Sequence, residues 1–292
     1  MLKGYLKTRA ALVEEMMDSL VPAQGVQPPI IFEAMRYSLF AGGKRLRPIL
    51  LMASAEAVGA DGKQFLHVAS GLEMVHTYSL IHDDLPAMDD DDYRRGKLTN
   101  HKVYGEGIAI LAGDGLLTAA FQAILEQPGI DAGVLLAVAQ EVATASGAYG
   151  MVGGQALDLI SEGKMINSDT LCFMHRAKTG ALFRGAVRSG AILAKADPEQ
   201  LAALTRYSEQ FGLAFQITDD ILDVVGTQES IGKPVGSDEK NQKATYVSLY
   251  SLEQARMMAQ TAVDEALAAL SVFGPTANVL RELVKQLIAR DH

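Results

Sequence analysis

The chain has 292 residues, a formal net charge of −9 and a pI near 5.2, so it lacks the broad basic field on which nucleic-acid and acidic-membrane binders depend. Its 49% hydrophobic content includes only 6% aromatic residues and no Trp, a balance that suits helix-on-helix packing better than β-sandwich strands. The single Cys172 excludes an internal disulfide, and Glu14, Glu15 and Asp18 stand where a secretory leader needs an apolar block, so a soluble, cytoplasmic protein is expected.

Apolar residues recur at three- and four-residue spacing over 2–20, 30–40, 47–59, 63–84, 106–126, 132–147, 168–195, 198–224 and 245–290, which predicts an all-α protein. The breaks carry ordinary stop signals: Pro22 with Pro28 and Pro29, Gly42 with Gly43, Gly59 to Gly62, Pro128 with Gly129, and Pro198 beside a cap at Asp197. No linker interrupts this pattern, so residues 1–292 read as a single domain. Apolar runs such as Gly133 to Ala139 fall well short of the roughly 18 residues that span a bilayer, and no membrane span is expected. Two breaks, 85–105 and 226–244, are longer and dense in charge, as functional loops often are.

Acidic residues mark both long breaks. In LIHDDLPAMDDDDYRRG, Asp83, Asp84, Asp89, Asp90, Asp91 and Asp92 crowd like charge that repels itself unless cations neutralise it. Asp83 and Asp84 end an apolar helical pattern, and Pro86 turns the backbone out of helix so that Asp89 can return toward them. A solvated surface run is the competing reading, above all for Asp91 and Asp92. In FGLAFQITDDILDVVG, Asp219 and Asp223 are spaced i and i+4 on one predicted helix face, with Gln216 a turn earlier. Carboxylates inside so apolar a helix are costly unless paired or metal-bound, although a cap or a surface salt bridge is the competing account. Oxygen ligands without His or Cys at zinc spacing favour a hard cation, and Mg²⁺ commonly bridges a few carboxylates to substrate phosphates.

Phosphates held in that way need converging cations as well. The sequence supplies Lys44, Arg45 and Arg47 in AGGKRLRP, Arg94 and Arg95 in YRRG, Arg176 and Lys178 in RAKTG, and Lys233, Lys240 and Lys243 in IGKPVGSDEKNQK. His76 lies seven residues before Asp83, close to two helical turns and on the same face. Each of these taken alone is also compatible with a surface charge or a core histidine.

GGKRLRP, LIHDDLPAMDDDDYRRG, MVGGQALDL, AKTGALF and FQITDDILD occur in this order over residues 42–223. Together they resemble the bacterial trans-prenyl diphosphate synthases, and the four residues between Asp84 and Asp89 resemble the farnesyl-type members. The resemblance implies an all-α helical bundle of the isoprenoid synthase type around a deep central cavity, usually as a homodimer. It further implies a magnesium-dependent transferase, with more than one Mg²⁺, that joins isopentenyl diphosphate to an allylic diphosphate. By it, Asp83, Asp84, Asp89 and Asp219 are ligands of Mg²⁺, with the role of Asp89 open against Asp90. Arg94, Lys178, Thr179, Gln216 and Lys233 contact the allylic diphosphate. Lys44, Arg47, His76 and Arg95 hold isopentenyl diphosphate. Tyr78, five residues before Asp83, is the candidate floor for the growing chain, with the small Ser79 beside it. A terpene cyclase and a non-catalytic subunit of a heteromeric synthase are the alternatives, beside a synthase of geranylgeranyl or other chain length. The first has no use for a second diphosphate site, and the second is at odds with two intact acidic motifs.

Overall fold

The computed structural model describes residues 2–226 and 244–289. Its contacts divide the chain into two compact units, Met1–Met52 with Gly62–Ala139, and Ala53–Asp61 with Gln140–His292. The all-α expectation holds, because apart from one two-stranded hairpin the regular elements among the described residues are helical.

The first unit contains α1 (Leu2–Leu20), α2 (Pro29–Leu39), the first half of α3 (Leu46–Val58), α4 (Leu66–Asp83), α5 (Asn100–Tyr104), α6 (Glu106–Leu125) and the start of α7 (Ala132–Ser146). α4 is its central helix and is buried on nearly every side, as an apolar helix without a polar stripe must be. Glycines let α6 lie close to it: a Cβ on Gly71 would meet the Ala120 carbonyl at 2.8 Å, and one on Gly113 would meet the His82 ring at 2.1 Å. The long break after α4 is more ordered than the sequence predicts. It holds a hairpin, β1 (Tyr93–Arg94) and β2 (Lys97–Leu98), whose two-residue turn places Arg95 and Gly96 at φ 54° and 75°. Both central residues at positive φ are what a type I′ hairpin turn requires.

One premise, that no apolar stretch reaches the length of a span, is corrected here. α6 has 20 residues and a mean hydropathy of 1.8, and by length and composition alone it is long and apolar enough to cross a membrane. Small residues make up much of that run, so its bulkier members do not stand out as a continuous block. α6 packs one face against α4 through Gly113 and carries the exposed Asp114 at mid-helix.

The second unit contains α8 (Met151–Ser161), α9 (Ser168–His175), a π-helical turn (Arg176–Gly180), α10 (Ala181–Leu193) and α11 (Pro198–Val225). After residue 243 follow α12 (Tyr246–Leu249), α13 (Leu252–Ala269) and α14 (Asn278–Ile288). α11 begins as predicted, with Pro198 in its first turn and a reciprocal cap in which Asp197 Oδ1 accepts from Gln200 N at 2.8 Å. Leu171, Met174, Ile217, Ile221, Tyr246, Ala255 and Ala259 form a core that joins α9, α11, α12 and α13. Two segment readings differ from this. α8 lies between the predicted segments 132–147 and 168–195, where no helix was predicted; Gly150, Gly153 and Gly154 interrupt the apolar spacing there. Among the described residues, the run predicted over 245–290 is three α-helices, separated at Ser251 and again by two short 3-10 turns, Leu270–Val272 and Pro275–Ala277.

Candidate active site

In the first unit, the GGKR segment is shaped by backbone that only glycine adopts readily. Gly42 and Gly43 lie at φ 98° and 131°, and a Cβ on Gly43 would meet the Arg95 guanidinium at 2.7 Å. Arg95, held in the hairpin turn, donates from Nη1 to the Gly42 carbonyl. Arg45 is structural. It is 2% exposed and donates to Glu73 Oε1 at 3.0 Å, Glu14 Oε1 at 3.2 Å and the Leu39 carbonyl at 2.7 Å. Arg47 stays half-buried nearby, and burial, opposed by Glu73 and reinforced by Arg95, lowers its guanidinium to about 10. His76 lies in the same field, and burial together with Arg47, Arg95, Arg94 and Arg45 drives its imidazole well below the usual range, so it is neutral. Glu73 is 1% exposed, and its Oε2 has no hydrogen-bond partner among the described residues. The structure therefore gathers Arg47, His76 and Arg95 in a nest whose positive charge exceeds its buried carboxylate. Lys44 sits exposed at its edge in sequence.

The acidic loop starts where α4 ends. Asp89 N donates to the Asp83 carbonyl at 2.9 Å, so the chain does fold back as Pro86 suggested, and both side chains are half-buried while Asp90, Asp91 and Asp92 are exposed. Asp84 differs from its neighbours. It is 3% exposed and accepts from Arg94 Nε at 2.8 Å and from Arg94 Nη2. Burial raises the Asp84 carboxyl in spite of this pair, whereas at Arg94 the pair outweighs burial and raises the guanidinium. Arg94 is thus committed to Asp84 and Asp91 in this state. Tyr78 is 6% exposed and packs edge-on to His82 at 5.7 Å, and Ser79 Oγ donates to the His76 carbonyl at 2.9 Å.

In the second unit, a polar chain runs through the π-helical turn. Lys178 Nζ lies 2.5 Å from Asp158 Oδ2. Thr179 Oγ1 donates to Gln216 Oε1 at 2.8 Å, Gln216 Nε2 donates to Asp220 Oδ1 at 2.9 Å, and Tyr246 N at the start of α12 donates to Asp220 Oδ2 at 2.8 Å. Gly154 makes room for this turn, since a Cβ there would meet Lys178 N at 2.2 Å. Asp219 and Asp223 do not share an environment as their spacing suggested: Asp219 is exposed and Asp223 is 2% exposed. With Asp220 spent on Gln216 and Tyr246, Asp219 is the carboxylate of this pair that faces solvent. Lys233, with Lys240 and Lys243, lies outside the described residues.

Sequence reasoning missed Glu73, Gln155, Asp158 and Asp220. MVGGQALDL contains two of them, and the i, i+3 spacing of Gln155 and Asp158 on α8 was the available signal. Both amide atoms of Gln155 are buried without a partner among the described residues. Among those residues no three acids, His or Cys converge tightly enough to cage an ion unaided. The carboxylates fit a hard cation that takes its remaining ligands from phosphate and water, since Mg²⁺ needs only one or two protein carboxylates.

A family model described as polyprenyl synthetase matches residues 28–280. The chain is 51% identical over 294 residues to a dimethylallyltranstransferase of Fischerella ambigua (strain UTEX 1903), covering 100% of this chain and 84% of that protein. It is 49% identical over 267 residues to a farnesyl diphosphate synthase of Geobacillus stearothermophilus, covering 91% and 90%. Among solved structures, geranylgeranyl pyrophosphate synthetase from Pyrococcus horikoshii Ot3 superposes with a TM-score of 0.91 at 32% identity, over 98% of each chain.

Proposed function

Since this chain belongs to the polyprenyl synthetase family, we propose that it is a prenyltransferase of one catalytic domain, condensing isopentenyl diphosphate head-to-tail with dimethylallyl and then geranyl diphosphate to give farnesyl diphosphate. The observation that carries this reading is the basic nest. Arg47 and Arg95 crowd positive charge around neutral His76 beside one buried carboxylate, and Arg47 gives up basicity to stay there. A dianionic diphosphate relieves that crowding.

In this reading Arg47 and Arg95 grip isopentenyl diphosphate, and neutral His76 offers a hydrogen bond. Lys178, Thr179 and Gln216, with Lys233, orient the allylic diphosphate. Its C–O bond breaks with the electron pair leaving on diphosphate, the isopentenyl double bond attacks the allylic carbon, and the proton lost from the new cation passes to the released diphosphate. Asp83, Asp84, Asp89 and Asp219 would hold Mg²⁺, which would supply electrostatic stabilisation of the leaving diphosphate. Lys178 leaves Asp158 to meet the developing negative charge.

Purified chain given isopentenyl and dimethylallyl diphosphates with Mg²⁺ should release diphosphate and, after dephosphorylation, yield a C15 alcohol. Turnover that persists after metal stripping with excess EDTA would count decisively against the metal assignment. Tyr78 supports the C15 limit. It is buried one and a half turns before Asp83, about 7 Å along α4. The likeness to a geranylgeranyl enzyme keeps a C20 product as the second reading. Tyr78→Ala should lengthen the products to C20 or beyond, and an unchanged C15 alcohol from a folded, active variant removes Tyr78 as the floor.

A cytoplasmic homodimer completes the proposal. Ile110, Leu111 and Leu125 leave an apolar face of α6 exposed at 44%, 52% and 55%, a face that a second copy would cover. Sedimentation that gives a monomer at working concentration would remove this part.

A further inference from the structure

The π-helical turn has a second side. Arg176, Ala177 and Gly180 line a cavity of about 290 Å³ within the second unit, and neither Lys178 nor Thr179 is among its walls. Ala145, Phe173 and Leu213 make much of it apolar. Two further walls carry a buried polar atom without a partner among the described residues, His175 Nδ1 and Gln210 Oε1. At its rim Arg176 is exposed and makes no ion pair among the described residues, whereas Arg184 is shared between Glu209 at 3.3 Å and Glu141 at 3.9 Å. At about 30 Å³ per water-sized group, the space holds roughly ten such groups.

We propose that this cavity is a second ligand site, which takes an amphiphile with an apolar chain of about ten carbons and a phosphate head on Arg176. The chain replaces water against Ala145, Phe173 and Leu213, where burial of apolar surface is favourable. The head matches the one cation at the rim that no described carboxylate neutralises, and a guanidinium binds phosphate with two parallel hydrogen bonds. His175, lowered to about 4 mainly by burial, presents a neutral ring and adds no competing charge.

Occupancy also reaches the reaction. A ligand wedged against Arg176, Ala177 and Gly180 holds the turn in its π form, and single π turns inside helices are often functional elements. In that form Lys178 Nζ stays 2.5 Å from Asp158 and is withheld from the allylic diphosphate. The expected effect is inhibition through a raised KM for the allylic substrate. This coupling rests on the role proposed above for Lys178, whereas the binding itself does not.

Calorimetric titration of the full chain with decyl phosphate, below its aggregation limit, separates these claims. Ala181→Leu narrows the cavity and Arg176→Gln removes the head contact. Each should abolish one equivalent of binding or weaken it at least tenfold, with circular dichroism confirming the fold. Should Ala181→Leu fail to fold, the exposed Arg176→Gln carries the test. Geranyl monophosphate should bind at the same site, and its affinity relative to decyl phosphate tells a branched prenyl ligand from a straight lipid chain. Decanol or inorganic phosphate alone should bind at least tenfold more weakly. Identical titrations of wild type and both variants overturn the site, and decanol binding as tightly as decyl phosphate overturns the anionic head. With dimethylallyl diphosphate as substrate, saturating decyl phosphate should raise KM at least threefold in wild type and leave it unchanged in Ala181→Leu. Binding without that rise overturns the coupling to Lys178. Binding by a chain that forms no prenyl product would sink the transferase proposal and leave the site standing.

Discussion

Around His76, four arginines are held chiefly against Glu73 and Asp84, whereas along α11 the polar groups from Thr179 to Tyr246 are paired one to the next. The first region crowds like charge at a cost in basicity, and burial lowers Arg47 and Arg95 alike. The second keeps a fixed geometry, with the Asp219 carboxylate exposed beside it. Binding strength and orientation are thus supplied by different means, one by electrostatic crowding and the other by satisfied hydrogen bonds.

The comparison breaks first at its carboxylates. Asp83→Asn in one region and Asp219→Asn in the other should each lower kcat by about 10²-fold or more with the fold intact, the scale of losing one preorganised electrostatic contact. A near-normal rate in steady-state assays of either variant removes that residue from the site.

Acid stability sharpens the contrast, because His175 lies beside Asp158 and Lys178 and carries a strong burial effect. Its folded-state imidazole titrates at about 4, and an unfolded one near 6.5. Between these values the unfolded chain binds more protons, so the stability contributed by the neutral ring is complete above pH 6.5 and is lost as pH falls toward 4. The total is about 3 kcal/mol. In denaturant titrations, His175→Phe should lose about that much less across the same window; parallel pH curves for the two proteins would refute the buried neutral imidazole.

A smaller effect tests the division of labour. Arg95→Ala should raise KM for isopentenyl diphosphate about tenfold with little change for the allylic substrate, and Lys178→Ala should do the reverse, in line with a lost charged hydrogen bond. Swapped effects would mean that the two diphosphate roles are assigned backwards.

The sequence made the helices legible wherever apolar spacing was long and uninterrupted, and it located the acidic loop, because Pro86 and the Asp run leave few other conformations. It hid α8, since Gly154 there serves close packing against Lys178, and Gly150 and Gly153 close approach to the Ala145 and Ala148 carbonyls. Position in a motif also did not tell ligand from support. Arg45 and Arg47 are two residues apart, yet a positive φ turns Arg45 inward onto Glu73. Likewise Asp219 and Asp220 are adjacent, and only the start of α12, 26 residues later, decides which of them is used up as a cap.

α6 carries a consequence for how the chain is made. A 20-residue segment of hydropathy 1.8 is the kind of sequence that membrane-insertion machinery samples as it leaves the ribosome. Synthesis runs from the N-terminus, so α4 has already emerged when α6 appears, and Gly71 and Gly113 allow the two to close together at once. The order of the two helices in the message therefore protects the nascent protein. A circular permutant that delivers α6 before α4 would expose that apolar surface through the rest of translation, and its cost would appear as lost soluble yield during expression while the finished fold keeps the same contacts.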